Sequence, residues 1–162
     1  MTNLRARQQS HQLWATILTG AGLLPFLAFT LLALFGIELS FAQQSLSLYS
    51  FGILCFVAGS WWGFALLMTD VSSTQRTQIL LLSNGIVLIG LAALALLPPV
   101  GTIIALGALH PLLLAGEHQL SGLRRQPPYY RELRIRATMG AFGAHVLVLL
   151  ASVSLSAAVA GG

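Results

Sequence analysis

Residues 77–116 read TQILLLSNGIVLIGLAALALLPPVGTIIALGALHPLLLAG, forty in succession without an Asp, Glu, Lys or Arg. As one helix this run would be ~60 Å long, about twice the hydrocarbon core of a bilayer. It must therefore turn back on itself. Pro98-Pro99 lies at its middle, and proline removes a backbone donor and disfavours helix in the residue before it. The run thus divides into two spans, about 78–97 and 100–120.

The pattern repeats outward from this stretch. Thirty uncharged residues separate Arg7 from Glu38, thirty-one separate Glu38 from Asp70, and twenty-six follow Arg136. A spanning helix needs ~20 apolar residues, so each run holds one. The expectation is an all-α integral membrane protein, a single membrane domain over 1–162. Its five transmembrane helices fall at about 13–36, 46–68, 78–97, 100–120 and 136–160, with a basic loop at 121–135. Only 7% of the 162 residues are charged and 56% are hydrophobic, which excludes a soluble domain, a disordered chain, a coiled coil and a disulfide scaffold. The spans are uniformly apolar, without the alternation of barrel strands.

All eight positive residues are Arg. Arg5 and Arg7 precede the first span, Arg76 lies between the second and third, and Arg124, Arg125, Arg131, Arg134 and Arg136 lie between the fourth and fifth. With five spans these regions share one side. The positive-inside rule then puts the N-terminus in the cytoplasm and the C-terminus outside, in a bacterial inner membrane or, alternatively, the mitochondrial inner membrane. Trp14, Tyr129 and Tyr130 stand where interfacial aromatic rings anchor a span. Ser40-Phe41-Ala42 imitates a signal-peptide cleavage site, but the apolar stretch before it is longer than such peptides carry. The lone Cys55 reads as a small buried residue.

A few residues break the apolar background. Gly59 and Gly63 form a G-x-x-x-G in the second span, and Gly140 and Ala144 share that spacing in the fifth. Small residues so placed let helix backbones approach closely. Packing within the bundle is the expectation, with a homodimer seam as the alternative. Of Trp61 and Trp62, one is expected to face lipid and one to pack. His110 and Glu117 lie about one face of the fourth span, ~10 Å apart along its axis. His145, Thr138 and Arg134 lie about one face of the fifth. If the stripes meet, His110 reaches His145, and Glu117 reaches Thr138 or Arg134. Ionisable groups inside a span point to function by default. Paired histidines can ligate haem or a metal or relay protons, and they can equally hydrogen-bond and assist packing.

The segment from Leu123 to Arg136 concentrates five Arg with Tyr129 and Tyr130, a surface suited to anionic lipid headgroups or to a partner as well as to setting topology. It is not a nucleic-acid domain, since the charge is held at a membrane surface. No P-loop, G-x-S-x-G, H-E-x-x-H or cysteine metal motif is present, and such motifs carry the common hydrolytic and nucleotide chemistries. No catalytic residue, cofactor or metal is expected.

Three stretches resemble the family of proteins of unknown function DUF3429, which includes transmembrane protein 69. They are Gly22-Leu23-Leu24-Pro25-Phe26, YSFGILCFVAGSWWGFAL at Tyr49–Leu66, and Pro127-Pro128-Tyr129-Tyr130-Arg131-Glu132-Leu133-Arg134. The last is similar to the segment that opens the family's final helix. Trp61 stands where family members often carry His before Trp-Gly, and Tyr129 where Trp is common. The resemblance implies fold and membrane location, not an activity. The functional expectation is a non-catalytic accessory or assembly protein that binds lipid, a membrane partner or a second copy of itself. The alternatives are a small dimeric transporter or channel using His110, Glu117 and His145, and a bis-histidine haem carrier.

Overall fold

A computed structural model describes residues 2–67, 69, 71–120 and 127–160. Arg124 and Arg125, with their expected lipid or partner contacts, lie outside the described residues. Among the described residues the regular structure is all helical: α1 Thr2–Leu34, α2 Leu39–Leu67, α3 Ser73–Leu96, α4 Pro99–Gln119 and α5 Pro128–Ala160. All five are long and apolar enough to cross a membrane, and the fold is that of an integral membrane protein.

Three helices start well before the expected position. Helix α1 starts at Thr2 rather than near 13, its polar first turns lying ahead of the apolar span that begins at Ser10. Helix α2 starts at Leu39 rather than near 46, because Gln43 and Ser47 turn into the bundle and are buried there. Helix α5 starts at Pro128, so the last eight residues of the expected loop, 128–135, are its first two turns. Proline suits the first helical position, and Arg, Glu and Leu are good helix formers whatever their charge. A reading by charge alone marks where the hydrocarbon begins, not where the helix does.

The α1–α2 and α3–α4 turns are tight. At the end of α1, Gly36 has φ +66°. Its N–H donates to Ala33 O at 3.1 Å, and the Ile37 N–H donates to Leu32 O at 2.9 Å. This is a Schellman cap, in which glycine takes the left-handed conformation at no steric cost. Between α3 and α4, Leu97 closes one helix and Pro99 opens the next. The Thr102 hydroxyl lies 3.1, 3.2 and 3.2 Å from the carbonyls of Ala93, Leu97 and Pro98; Ala93 O and Pro98 O also accept the Leu97 and Thr102 N–H groups, so the hydroxyl ties the end of α3 to the start of α4. Pro25 removes the N–H that would bond Ala21 O. Next to it, Tyr49 of α2 donates to Gly22 O at 2.8 Å, the kind of neighbouring cover a mid-span proline requires.

The helices form a ring in chain order, α5 closing on α1, with α2 also packed against α4 across the middle. One apolar cluster joins α2, α3 and α4 around Leu54, Trp61, Ile79, Leu106 and Leu113. A second joins α1, α2, α4 and α5 around Phe26, Leu46, Ile103, Ala144 and Val148. Outside, large apolar side chains remain exposed all round, including Leu67, Leu96, Phe56 and Leu81, as befits a lipid-facing surface.

Glycines set the closest approaches. A Cβ at Gly116 of α4 would lie 2.7 Å from the Trp61 ring, and one at Gly107 would lie 2.9 Å from His145 Cβ. Gly90 of α3 similarly admits the Phe51 ring, 3.0 Å from a Cβ there. A Cβ at Gly140 would lie 3.1 Å from the Leu23 side chain of α1, and Ala144 is buried on the same helix. Gly59 and Gly63 differ. Both are exposed and meet nothing within 4 Å, so the packing within the bundle expected of them is not made; the buried positions beside them on α2 belong to Ala58 and Trp61.

These contrasts predict a sign. Gly107→Ala and Gly116→Ala should each destabilise the bundle by ~1–3 kcal/mol through overpacking, the first against the base of the His145 side chain and the second against the Trp61 ring. Gly59→Ala and Gly63→Ala should leave monomer stability unchanged. Reversible unfolding in mixed micelles measures all four.

Candidate functional site: a layered polar core

Polar side chains inside the bundle fall in three layers, each joining antiparallel helices at matched depth. At the end bearing the α1–α2 turn, Gln43 Nε2 of α2 donates to Ser152 Oγ of α5 at 2.8 Å, and Ser152 donates to Val148 O at 2.7 Å.

The middle layer holds the two histidines. His110 of α4 and His145 of α5 stand with ring centroids 5.6 Å apart, and Phe26 of α1 stands 5.9 Å from each. His110 Nε2 and Ser50 Oγ of α2 are 2.9 Å apart and share a hydrogen bond. His145 Nδ1 lies 2.8 Å from Ala141 O. A carbonyl only accepts, so Nδ1 carries the hydrogen and donates. That leaves His145 Nε2 buried without a hydrogen-bond partner. Gly107 makes the layer possible, since its missing side chain is the space His145 occupies. Pro111, one turn on in α4, also removes the helical N–H that would bond Gly107 O.

The third layer lies at the arginine-bearing end. Glu117 of α4 is buried and receives three donors on Oε1: Trp61 Nε1 of α2 at 3.0 Å, Arg134 Nε of α5 at 3.1 Å and the Arg134 terminal NH2 at 3.0 Å. Arg134 Nε also reaches Oε2 at 3.3 Å. The side chains of Arg134 and Glu117 are 14% and 7% exposed, so this is a buried pair with its hydrogen-bonding capacity largely met. Thr138, one turn inward from Arg134, is buried between this layer and His145.

The facing stripes thus meet: His110 with His145, and Glu117 with Arg134 rather than Thr138. Of the tryptophans, Trp61 is buried and Trp62 is exposed. Arg134, first grouped with the lipid-facing residues, is held inward by Glu117. Arg136 pairs with Glu132 at 2.6 Å on the surface, and Tyr129 and Arg131 are exposed. Among the described residues no three His, Cys, Asp or Glu side chains come together, so a metal at the middle layer would have only the two imidazoles from that set.

Sequence reasoning missed Ser50, Gln43, Ser152 and the Trp61 indole as partners, and Gly107 and Gly116 as the sites of closest approach. Serines and glycines are common in such spans, and single ones carry no periodic signal. The usable signal was depth. Each missed polar partner lies level with a residue already singled out or with another polar residue.

Glu117→Leu should destabilise the bundle by ~3–5 kcal/mol, because it leaves Arg134 buried and unpaired. Adding Arg134→Met should restore most of that loss, since the cost lies in the abandoned charge. A double-mutant cycle by reversible unfolding in micelles checks both signs.

No curated protein and no solved structure matches this chain. Residues 12–150 match a family model, and that stretch contains the histidine and ion-pair layers and Gln43 of the first, while Ser152 lies just past it. The chain belongs to the family described as protein of unknown function (DUF3429).

Proposed function

We propose that the chain is a non-catalytic accessory or assembly protein that acts through the outside of its bundle. The carrying observation is the outward face of α2. Gly52, Gly59 and Gly63 have nothing within 4 Å, and Phe56 between them is 75% exposed. These positions recur at helical spacing on one face. In lipid no hydrophobic force drives helices together, so close van der Waals packing against small residues does that work. A groove of bare glycines with one aromatic knob is suited to a transmembrane helix of a partner or of a second copy. The polar groups inside, by contrast, are mostly engaged with each other. The reading places the protein in a bacterial inner membrane, or the mitochondrial one, with its arginine-bearing end in the cytoplasm or matrix. Anionic headgroups are the expected neighbours of Arg131 and the basic loop.

A second reading, a small transporter or channel, is favoured by one observation: His145 Nε2 is buried and unpaired in a polar series that runs along the bundle. It would need a dimer, since five helices with no inverted repeat are few for a transporter. The haem reading has less support. Phe26 and Gly107 pack directly on the imidazoles, in the space a porphyrin would need.

A photo-crosslinker at Phe56 should capture another polypeptide in native membranes, and Gly59→Leu with Gly63→Leu should abolish that adduct while the melting temperature holds. Adducts with lipid alone would overturn the docking reading. Proton flux into liposomes that falls when His110, Glu117 and His145 are replaced together would favour the transporter instead. Reporter fusions test orientation: ends reporting opposite compartments, with the amino end inside, are expected.

A further inference from the structure

We infer that the groove between the arginine-bearing ends of α1 and α5 is a binding site for the headgroup of a zwitterionic aminophospholipid, phosphatidylethanolamine. This site is separate from the α2 face and does not depend on it. The groove has a volume of about 360 Å³ and is lined by Gln12 and Leu13 of α1 and by Tyr129, Glu132, Leu133 and Arg136 of α5, among others. Both walls lie where the apolar spans begin, at Ser10 and Pro128, so the groove opens at the bilayer interface, at headgroup depth.

The order of charge along α5 makes the choice of lipid. Glu132 is one turn nearer the helix start than Arg136, so it sits ~6 Å closer to water. A phosphoethanolamine headgroup carries its charges in the matching order. The phosphodiester lies next to the glycerol, and the ammonium extends outward. Seated here, the phosphate meets the Arg136 guanidinium, which suits a planar, bidentate partner, and the ammonium donates to the Glu132 carboxylate. Gln12 and Tyr129 supply further donors for phosphate oxygens, and Leu13 and Leu133 flank the glycerol. The ordering depends only on depth from the interface, so it holds whichever compartment that end faces.

Glu132 and Arg136 already pair with each other, but their side chains are 65% and 74% exposed. Such surface pairs are weak, and a headgroup that satisfies both members replaces the pair without stranding a charge. An anionic headgroup such as phosphatidylglycerol would gain Arg136 but face Glu132 as a like charge. A choline headgroup has no N–H for the carboxylate.

The test uses the delipidated full-length protein and native mass spectrometry, with phosphatidylethanolamine, phosphatidylglycerol and phosphatidylcholine of identical acyl chains added at equal concentration. The wild type should bind phosphatidylethanolamine about five-fold or more above either competitor. Glu132→Gln should bring it level with phosphatidylglycerol, and Arg136→Gln should weaken all three. The double exchange Glu132→Arg with Arg136→Glu keeps an opposite-charge pair four residues apart but reverses its order, and it should lose the preference. Equal binding of the three lipids by the wild type overturns the proposal, as does a preference that survives the exchange. Both positions are exposed, so the variants should melt with the wild type. If one does not, the three-lipid comparison on the wild type alone still decides.

Discussion

A carboxylate and a guanidinium removed from water must find each other, and Glu117 and Arg134 do so between α4 and α5. In hydrocarbon an unpaired charge is costly enough to dictate which helix faces are turned inward. The pair sets the register of α4 against α5 at one end, and the Trp61 indole N–H on the same Glu117 oxygen brings α2 into that register. Equal rise per residue does not by itself align the other layers. His110 is seven residues from Glu117 along α4 and His145 is eleven from Arg134 along α5, a difference of ~6 Å that the reach of the long Arg134 side chain takes up, so that the charged pair and the histidine pair are both made. Ser50, eleven residues before Trp61, arrives at the same depth from α2.

This dependence explains what could be read without coordinates. Lengths of uncharged runs gave the five helices, because the bilayer forbids a forty-residue straight span and Pro98-Pro99 offers the break. Spacing put His110 and Glu117 about one face of α4, and His145, Thr138 and Arg134 about one face of α5, but not whether the two faces meet or which of Thr138 and Arg134 takes Glu117. What could not be read was which remaining faces turn inward. In a soluble protein the apolar stripe marks the core, but here Leu67, Leu81 and Leu96 are exposed as fully as any polar residue would be in water. The inward face is marked by polar and small residues instead, and these are too few to form a periodic pattern. Helix α5 shows the other failure. Its first two turns carry Arg131, Glu132 and Arg134, with Arg136 next, so a hydropathy boundary falls eight residues inside the true one.

Glycine carries two meanings in this chain that sequence spacing does not separate. Gly107, Gly116 and Gly90 are holes into which His145, Trp61 and Phe51 fit, and a methyl group at any of them would meet a ring or its attachment. Gly52, Gly59 and Gly63 are equally small but face outward. The first group shows no G-x-x-x-G and yet sets the contacts within the bundle, whereas the second shows the motif and makes no such contact. The motif therefore marks a surface that suits another helix, and only the placement of Trp61, one position from Ser60 and two from Gly63, reveals that the motif's face is turned away from the core.

The middle layer carries a different consequence. His145 is held by its own helix, through Nδ1 and Ala141 O, while its other nitrogen is buried without a partner. A buried acceptor left unmet costs on the order of 1–3 kcal/mol, and a leucine in the same space would avoid that cost. The charged layer, by contrast, has its groups met, and the Gln43–Ser152 bond is made directly. The strain of the polar core is thus concentrated at one atom near mid-depth, flanked by His110 and Phe26 and backed by the glycine whose carbonyl Pro111 has also left without its helical donor. Stability alone accounts for the outer two layers. It does not account for an imidazole at this position, and that is why the middle layer, rather than the ion pair, separates an assembly role from a transport role.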